Sequence, residues 1–124
     1  MISKSYLIMI FTLFMSISLS AKSDFFDLNF EGIDGNIISL KEFKNKPILI
    51  VNSASFCGFT YQYEQLENLY QKFKKKGLVV IAIPSNDFGG QEFKDNKKVK
   101  EFCEVNFNIS FPITTITKIK GNDK

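Results

Sequence analysis

The sequence contains no His, no Trp and no Arg, and it has only two Cys among its 124 residues. Without His there is no Ser-His-Asp or Cys-His nucleophile and no imidazole ligand for a metal. Two Cys cannot supply the four thiolates of a structural zinc or iron–sulfur site. Without Arg there is no guanidinium for bidentate recognition of a carboxylate or a phosphate. Any chemistry must therefore rest on a thiol, on carboxylates, on amides or on the main chain.

The balance of charge excludes another class of protein. The formal net charge is +3 at pH 7, from 16 basic and 13 acidic residues. This charge is too small and too dispersed to indicate nucleic-acid binding. Hydrophobic residues make up 44% of the chain and charged residues 23%, which is typical of one globular domain rather than of a disordered segment.

The N-terminus has the pattern of a secretory signal peptide. Lys4 precedes an uncharged stretch at residues 5–21, which has an apolar centre and small residues at its end. A positive start, an apolar centre and a small-residue exit are typical of such signals. We expect a signal peptide at residues 1–21, a domain at residues 22–124, a periplasmic or secreted location, and no stable membrane association after cleavage. The alternative is an uncleaved anchor at the lower length limit of a membrane span.

The remaining pattern predicts an α/β fold with a βαβα core. A turn signal at residues 34–36 predicts an N-terminal β-hairpin. Apolar runs at residues 48–51 and 78–83 each predict a strand buried on both faces. Helices are predicted over residues 59–76 and 97–107, and a short β-like segment begins at Phe111. This order predicts parallel strands with right-handed crossovers.

Each predicted helix has an apolar stripe at a spacing of three and four residues. The stripe of the first helix is Leu66, Leu69, Tyr70 and Phe73. Charged residues between them, including Glu67, predict its solvent-facing side. The stripe of the second helix is Val99, Phe102, Cys103 and Phe107.

Cys57 is the candidate nucleophile, because it follows the first buried strand and precedes the first helix. Ligands and chemistry gather at the carboxyl ends of strands in α/β sheets. The free N–H groups and positive dipole end of a helix N-terminus favour a thiolate over a thiol. The alternative is an inert Cys packed as a small apolar residue. Thr60 stands where a Cys-x-x-Cys motif needs its second Cys, which disfavours a thiol–disulfide exchanger.

Three ordered motifs resemble the glutathione peroxidase family in its cysteine-containing form. They are NSASFCGFT at residues 52–60, IPSNDFGGQE at residues 83–92, and EFC at residues 101–103 followed by Phe-Pro at 111–112. The resemblance implies a thioredoxin-like fold and a thiol-dependent peroxidase that reduces hydrogen peroxide or organic hydroperoxides in response to oxidative stress. It implies no cofactor and no metal. The implied partners are the hydroperoxide and a thiol reductant, either glutathione or a thioredoxin-like protein.

The same resemblance assigns roles to two residues. Cys57 is the implied peroxidatic residue, whose thiolate attacks the O–O bond and becomes a sulfenic acid. Gln91 is the implied amide donor to the sulfur or to the developing alkoxide. From the residues alone, Gln91 follows two Gly in a loop after the second strand, where a solvated amide is the alternative.

Cys103 has three interpretations. It is either a resolving thiol for the sulfenic acid, a disulfide partner of Cys57 in an oxidising compartment, or a buried helix residue. Its spacing from Val99 and Phe107 favours the third interpretation.

The sequence also departs from the family pattern. The Trp and Asn of the family's site belong to a segment beyond residue 124, and Ser85 stands where many members have a Cys. We therefore expect a core that lacks the C-terminal strands and helix. The predicted strand at residues 48–51 would then have one unpaired edge. The alternative function is an inactive truncated remnant or a non-catalytic thioredoxin-fold module.

Overall fold

The computed structural model describes residues 24–121, so the predicted signal peptide lies outside the described residues. The strands are β1 (Asn29–Glu31), β2 (Ile37–Ser39), β3 (Ile48–Ser53) and β4 (Val79–Pro84). The α-helices are α1 (Gln62–Phe73) and α2 (Asn96–Phe107), and short 3-10 turns occupy Phe25–Asp27, Leu40–Phe43 and Lys74–Lys76. The predicted hairpin and βαβα order are confirmed.

Residues after α2 form β-bridges to both pairs of strands. β1 pairs with β2 antiparallel, and β3 pairs with β4 parallel. Ile113 bridges Ala82 of β4 in parallel, and Thr114 bridges Gly32 after β1 in antiparallel. The predicted β-like segment from Phe111 is therefore confirmed. β4 has β3 on one side and this segment on the other.

β4 is the centre of the core, because all six of its residues are buried. One face of β4 packs against both α-helices, through a cluster that includes Val80, Ala82, Tyr63, Val99 and Cys103. The other face packs against the hairpin and the N-terminal 3-10 turns, through a cluster that includes Val79, Ile81, Ile83 and Leu40. Both helices consequently lie on one side of the sheet.

The prediction that β3 is buried on both faces was wrong. None of its six residues is fully buried, and Ile50 is 36% exposed. Within residues 24–121, β3 pairs with β4 alone, so its other edge is open in this part of the chain, as predicted. A continuous apolar run is compatible with both a central and an edge strand, and the number of neighbours decides which one forms.

The predicted buried face of the first helix was also partly wrong. The buried residues of α1 are Tyr63 and Glu67, whereas Leu69 is 37% exposed. The Glu67 carboxylate accepts hydrogen bonds from the Ser110 N–H at 2.9 Å and the Ser110 hydroxyl at 2.7 Å. Burial raises the pKa of Glu67, but hydrogen bonds from Gln71 and Ser110 outweigh it and hold that pKa below its usual value. A carboxylate can be buried when its oxygens have such partners.

Candidate active site

Cys57 lies in the loop between β3 and α1, at the carboxyl end of β3, as the sequence predicts. Its side chain is half-buried and lines a cleft of about 70 Å³ together with Phe59, Thr60 and Tyr63. Phe56, Phe59 and Tyr61 are exposed aromatic residues on either side of Cys57. The thiol is therefore open to a small molecule and has an apolar rim.

The chain between Cys57 and α1 is a tight turn rather than the first turn of the helix. The Thr60 N–H donates to the Cys57 carbonyl at 3.1 Å, and the Tyr63 N–H donates to the Thr60 carbonyl at 3.1 Å. α1 itself begins at Gln62, so the predicted start at residue 59 was wrong. The Thr60 hydroxyl lies 2.6 Å from the Cys57 carbonyl and 3.1 Å from the Ala54 carbonyl. Such side-chain bonds to the backbone compete with regular helix.

One main-chain donor reaches the Cys57 sulfur. The Phe59 N–H donates to Sγ at a distance of 3.5 Å. The helix N-terminus predicted at Cys57 is therefore replaced by a turn with one main-chain donor, because α1 begins only at Gln62.

Removing the Thr60 hydroxyl should loosen this turn. We expect Thr60→Val to lower the free energy of unfolding by about 1 kcal/mol, because two carbonyls lose their shared donor. Thr60→Ser is the matched control, since it keeps the hydroxyl. Urea denaturation of the two variants measures the difference, and equal stabilities would show that the hydroxyl does not hold the turn.

Gln91 lies in the loop after β4, and its main chain contacts the Cys57 loop. The Phe56 N–H donates to the Gln91 carbonyl at 2.9 Å. Asn86 braces this loop, because its carbonyl accepts from the Gly90 N–H at 3.2 Å and its side chain accepts from the Glu92 N–H at 3.1 Å. The residues that line the Cys57 cleft do not include Gln91. Its amide has no hydrogen bond to another residue in the range 24–121.

Glu92 is a buried residue of this region that the sequence reasoning missed. Its side chain is 4% exposed, and its carboxylate accepts from the Phe93 N–H at 2.8 Å. Burial raises the pKa of Glu92, while the nearby Ser55 opposes this shift. The sequence signal that could have identified Glu92 was its position directly after Gln91 in the second motif.

Cys103 lies on the core face of α2, as its spacing predicts, and it is 0% exposed. Burial raises the pKa of its thiol to about 11, although the neighbouring Tyr63 hydroxyl opposes this shift. Tyr63 belongs both to the lining of the Cys57 cleft and to the buried cluster around Cys103, and both thiols are free.

Two further features concern the described residues as a whole. Among residues 24–121, no helix is long and apolar enough to cross a membrane. The same part of the chain contains no group of three or more His, Cys, Asp or Glu residues arranged to hold a metal ion.

Comparison with known proteins identifies the family. The family model described as glutathione peroxidase matches residues 25–124. A glutathione peroxidase-like peroxiredoxin of Chlamydomonas reinhardtii is 45% identical over 103 residues, which are 83% of this chain and 64% of that protein. The chain thus spans less than two thirds of the length of this curated relative.

Solved structures show the same fold. T. cruzi GPX1 is 32% identical and has a TM-score of 0.57, over 77% of this chain and 56% of that chain. A thiol:disulfide interchange protein of the thioredoxin family from Chlorobium tepidum is 16% identical, with a TM-score of 0.61 over 73% of this chain and 57% of that one. The second likeness concerns the fold alone and confirms the predicted thioredoxin-like architecture. From the motifs, the fold and these matches together, the chain belongs to the glutathione peroxidase family.

Proposed function

We propose that the protein is a thiol-dependent peroxidase that reduces hydrogen peroxide or organic hydroperoxides through Cys57. The observation that carries the proposal is the contrast between its two thiols. Cys57 lies in an open cleft with a main-chain N–H on its sulfur, whereas Cys103 is fully buried. A small peroxide can reach the first sulfur and not the second. Membership of the glutathione peroxidase family supports the same assignment.

The first chemical step oxidises Cys57. Its thiolate attacks one peroxide oxygen, a new S–O bond forms, and the O–O bond breaks. The product is a sulfenic acid, and the departing alkoxide or hydroxide takes up a proton to leave as an alcohol or water. In this proposal the Gln91 amide donates a hydrogen bond to the sulfur or to the departing oxygen. Turning that amide toward Cys57 would break no hydrogen bond within the described residues.

The second step returns Cys57 to the thiol. A thiol reductant, either glutathione or a thioredoxin-like protein, supplies the two electrons. Cys103 is the candidate resolving thiol within the chain: its sulfur would form an S–S bond with Cys57 as the S–O bond breaks and water leaves. Because Cys103 is buried and its pKa is raised to about 11, this route requires α2 to move first.

The sequence of the N-terminus supports a proposal for the cellular location of this activity. We propose that residues 1–21 direct export to the periplasm or outside the cell and are then removed. A peroxidase there would act on hydroperoxides during oxidative stress. The N-terminal sequence of the exported protein tests this proposal, and an intact Met1 would contradict it.

Selective oxidation is the experiment that tests the proposed function. We expect one equivalent of hydrogen peroxide, added with dimedone to the reduced full-length protein, to give a rapid sulfenic acid adduct on Cys57. Mass spectrometry of the peptides compares this adduct with any oxidation of Cys103, which serves as the internal control. Slow oxidation at equal rates on both thiols would instead support a non-catalytic thioredoxin-fold module.

A further inference from the structure

The burial of Cys103 raises the question of what holds α2 in place. Cys103 is 0% exposed, so neither a thiol reagent nor an oxidised Cys57 can contact its sulfur while α2 stays packed. Exposure of a buried group requires local opening of the element that carries it. The contacts at the two ends of α2 and the apolar packing of Val99 and Cys103 together determine how often that opening occurs.

The C-terminal end of α2 is fastened to α1 by a buried charge. After the helix, Asn108 adopts a left-handed conformation with φ of 52°, which turns the chain toward Ser110. The Ser110 N–H and hydroxyl both donate to the Glu67 carboxylate, at 2.9 and 2.7 Å. The Gln71 amide donates to the same carboxylate at 2.5 Å and to the Ser110 hydroxyl at 2.7 Å. We call Glu67, Gln71 and Ser110 the Glu67 latch.

The polar contacts at the N-terminal half of α2 are more exposed. Asp95 caps the helix by accepting from the Lys97 N–H at 2.8 Å, at an exposed position. Lys100 forms an ion pair with Asp34 in which both side chains are solvent-accessible. Exposed ion pairs contribute little to stability, whereas charge-assisted hydrogen bonds to a buried carboxylate contribute more. The Glu67 latch is therefore the strongest polar fastening among these contacts of α2.

We propose that Glu67 is a positioning residue for Cys103, because its carboxylate fastens the end of α2 and so sets how often the Cys103 thiol becomes exposed. The purpose of this control rests on the proposed function, in the route by which Cys103 resolves the oxidised Cys57. The latch contacts neither sulfur and acts only through the position of α2.

Labelling of Cys103 tests the proposal without any enzyme assay. In the full-length protein carrying Cys57→Ser, iodoacetamide alkylation of the Cys103 peptide is followed by mass spectrometry under native conditions. We expect Glu67→Gln to raise the alkylation rate about tenfold, because a neutral amide replaces the charged acceptor. Ser110→Ala removes the two hydrogen bonds of the hydroxyl and keeps the main-chain one. It should raise the rate in the same direction by a smaller factor, so a folding failure of one variant leaves the other as a test.

Asp87→Asn is the matched control. The Asp87 carboxylate also accepts two main-chain hydrogen bonds, from Ile119 at 2.6 Å and Lys120 at 2.9 Å, but it fastens the chain after residue 117 rather than α2. We expect this variant to leave the alkylation rate of Cys103 within about twofold of the parent. An equal rise in the control would show general loosening and overturn the proposal. Unchanged alkylation in Glu67→Gln and Ser110→Ala would also overturn it.

A second readout separates this proposal from the proposed function. With Cys57 present, one equivalent of hydrogen peroxide should give sulfenic acid on Cys57 at the parent rate in Glu67→Gln, and the disulfide with Cys103 should then form faster. A parent protein that forms no sulfenic acid refutes the proposed function, and the alkylation of Cys103 then still decides the role of Glu67. Faster sulfenic acid formation in Glu67→Gln would show that the residue acts on Cys57 and contradict the proposal.

Discussion

Replacing Cys57 with serine should abolish hydroperoxide reduction by the full-length protein, a loss on the order of a thousandfold or more. Serine has nearly the same shape, but its hydroxyl stays protonated near neutral pH and cannot accept oxygen to form a sulfenic acid. The cleft and the turn held by Thr60 should remain intact. Consumption of hydrogen peroxide in the presence of a thiol reductant measures the effect.

Cys103→Ser is the control for this experiment. Cys103 is buried and does not line the Cys57 cleft, so the first reaction of Cys57 with peroxide should proceed at the parent rate. Only the later fate of the sulfenic acid should change, as measured by its lifetime. Peroxide turnover that survives in Cys57→Ser would refute the assignment of Cys57 as the peroxidatic residue.

Local sequence patterns were sufficient to predict the order of elements and the burial of β4. The apolar run at residues 78–83 predicted a fully buried strand, and all six residues of β4 are buried. The similar run at residues 48–51 gave the same prediction for β3, which is half-exposed. The two runs differ in their number of neighbours in the sheet, and this number is a property of the whole fold rather than of the run.

Glu67 shows why the buried face of α1 could not be predicted from helical spacing alone. Its charge placed it on the solvent side, yet the structure buries it against Ser110. Ser110 follows α2, far away in the sequence, and nothing in the sequence of α1 indicates that partner. A polar residue can be buried when a distant residue supplies its hydrogen bonds.

The candidate site was predicted at the level of position but not of detailed geometry. The strand-end location of Cys57 followed from the α/β pattern, and the roles proposed for Cys57 and Gln91 rest on the family resemblance. The Thr60 hydroxyl bonds to the main chain of the turn and α1 begins only at Gln62, and such side-chain contacts are not revealed by periodicity. The main-chain contact between Gln91 and Phe56 likewise depends on two loops that meet only in the folded protein.

Substituting Ile81 in the central strand should destabilise the 124-residue chain far more than substituting its neighbour in β3. Ile81 is 0% exposed and packs in the cluster that contains Leu40. We expect Ile81→Ala to lower the free energy of unfolding by about 2–5 kcal/mol, from lost apolar burial and the cavity that remains. That loss is a large fraction of the ~5–15 kcal/mol that stabilises a typical domain.

Ile50→Ala is the matched control, because Ile50 and Ile81 are register partners in the parallel pair of β3 and β4. Ile50 is 36% exposed, so the same substitution there removes less buried surface and leaves an opening that water can fill. We expect a loss of about 1–2 kcal/mol for this variant, measured by urea denaturation beside Ile81→Ala. Equal losses would mean that Ile50 is as buried as Ile81, and they would contradict the partial exposure of β3 in the structure. A clear difference would confirm that β4 is the more buried strand of the pair, as expected for the strand that packs against both helices on one face and against the hairpin on the other.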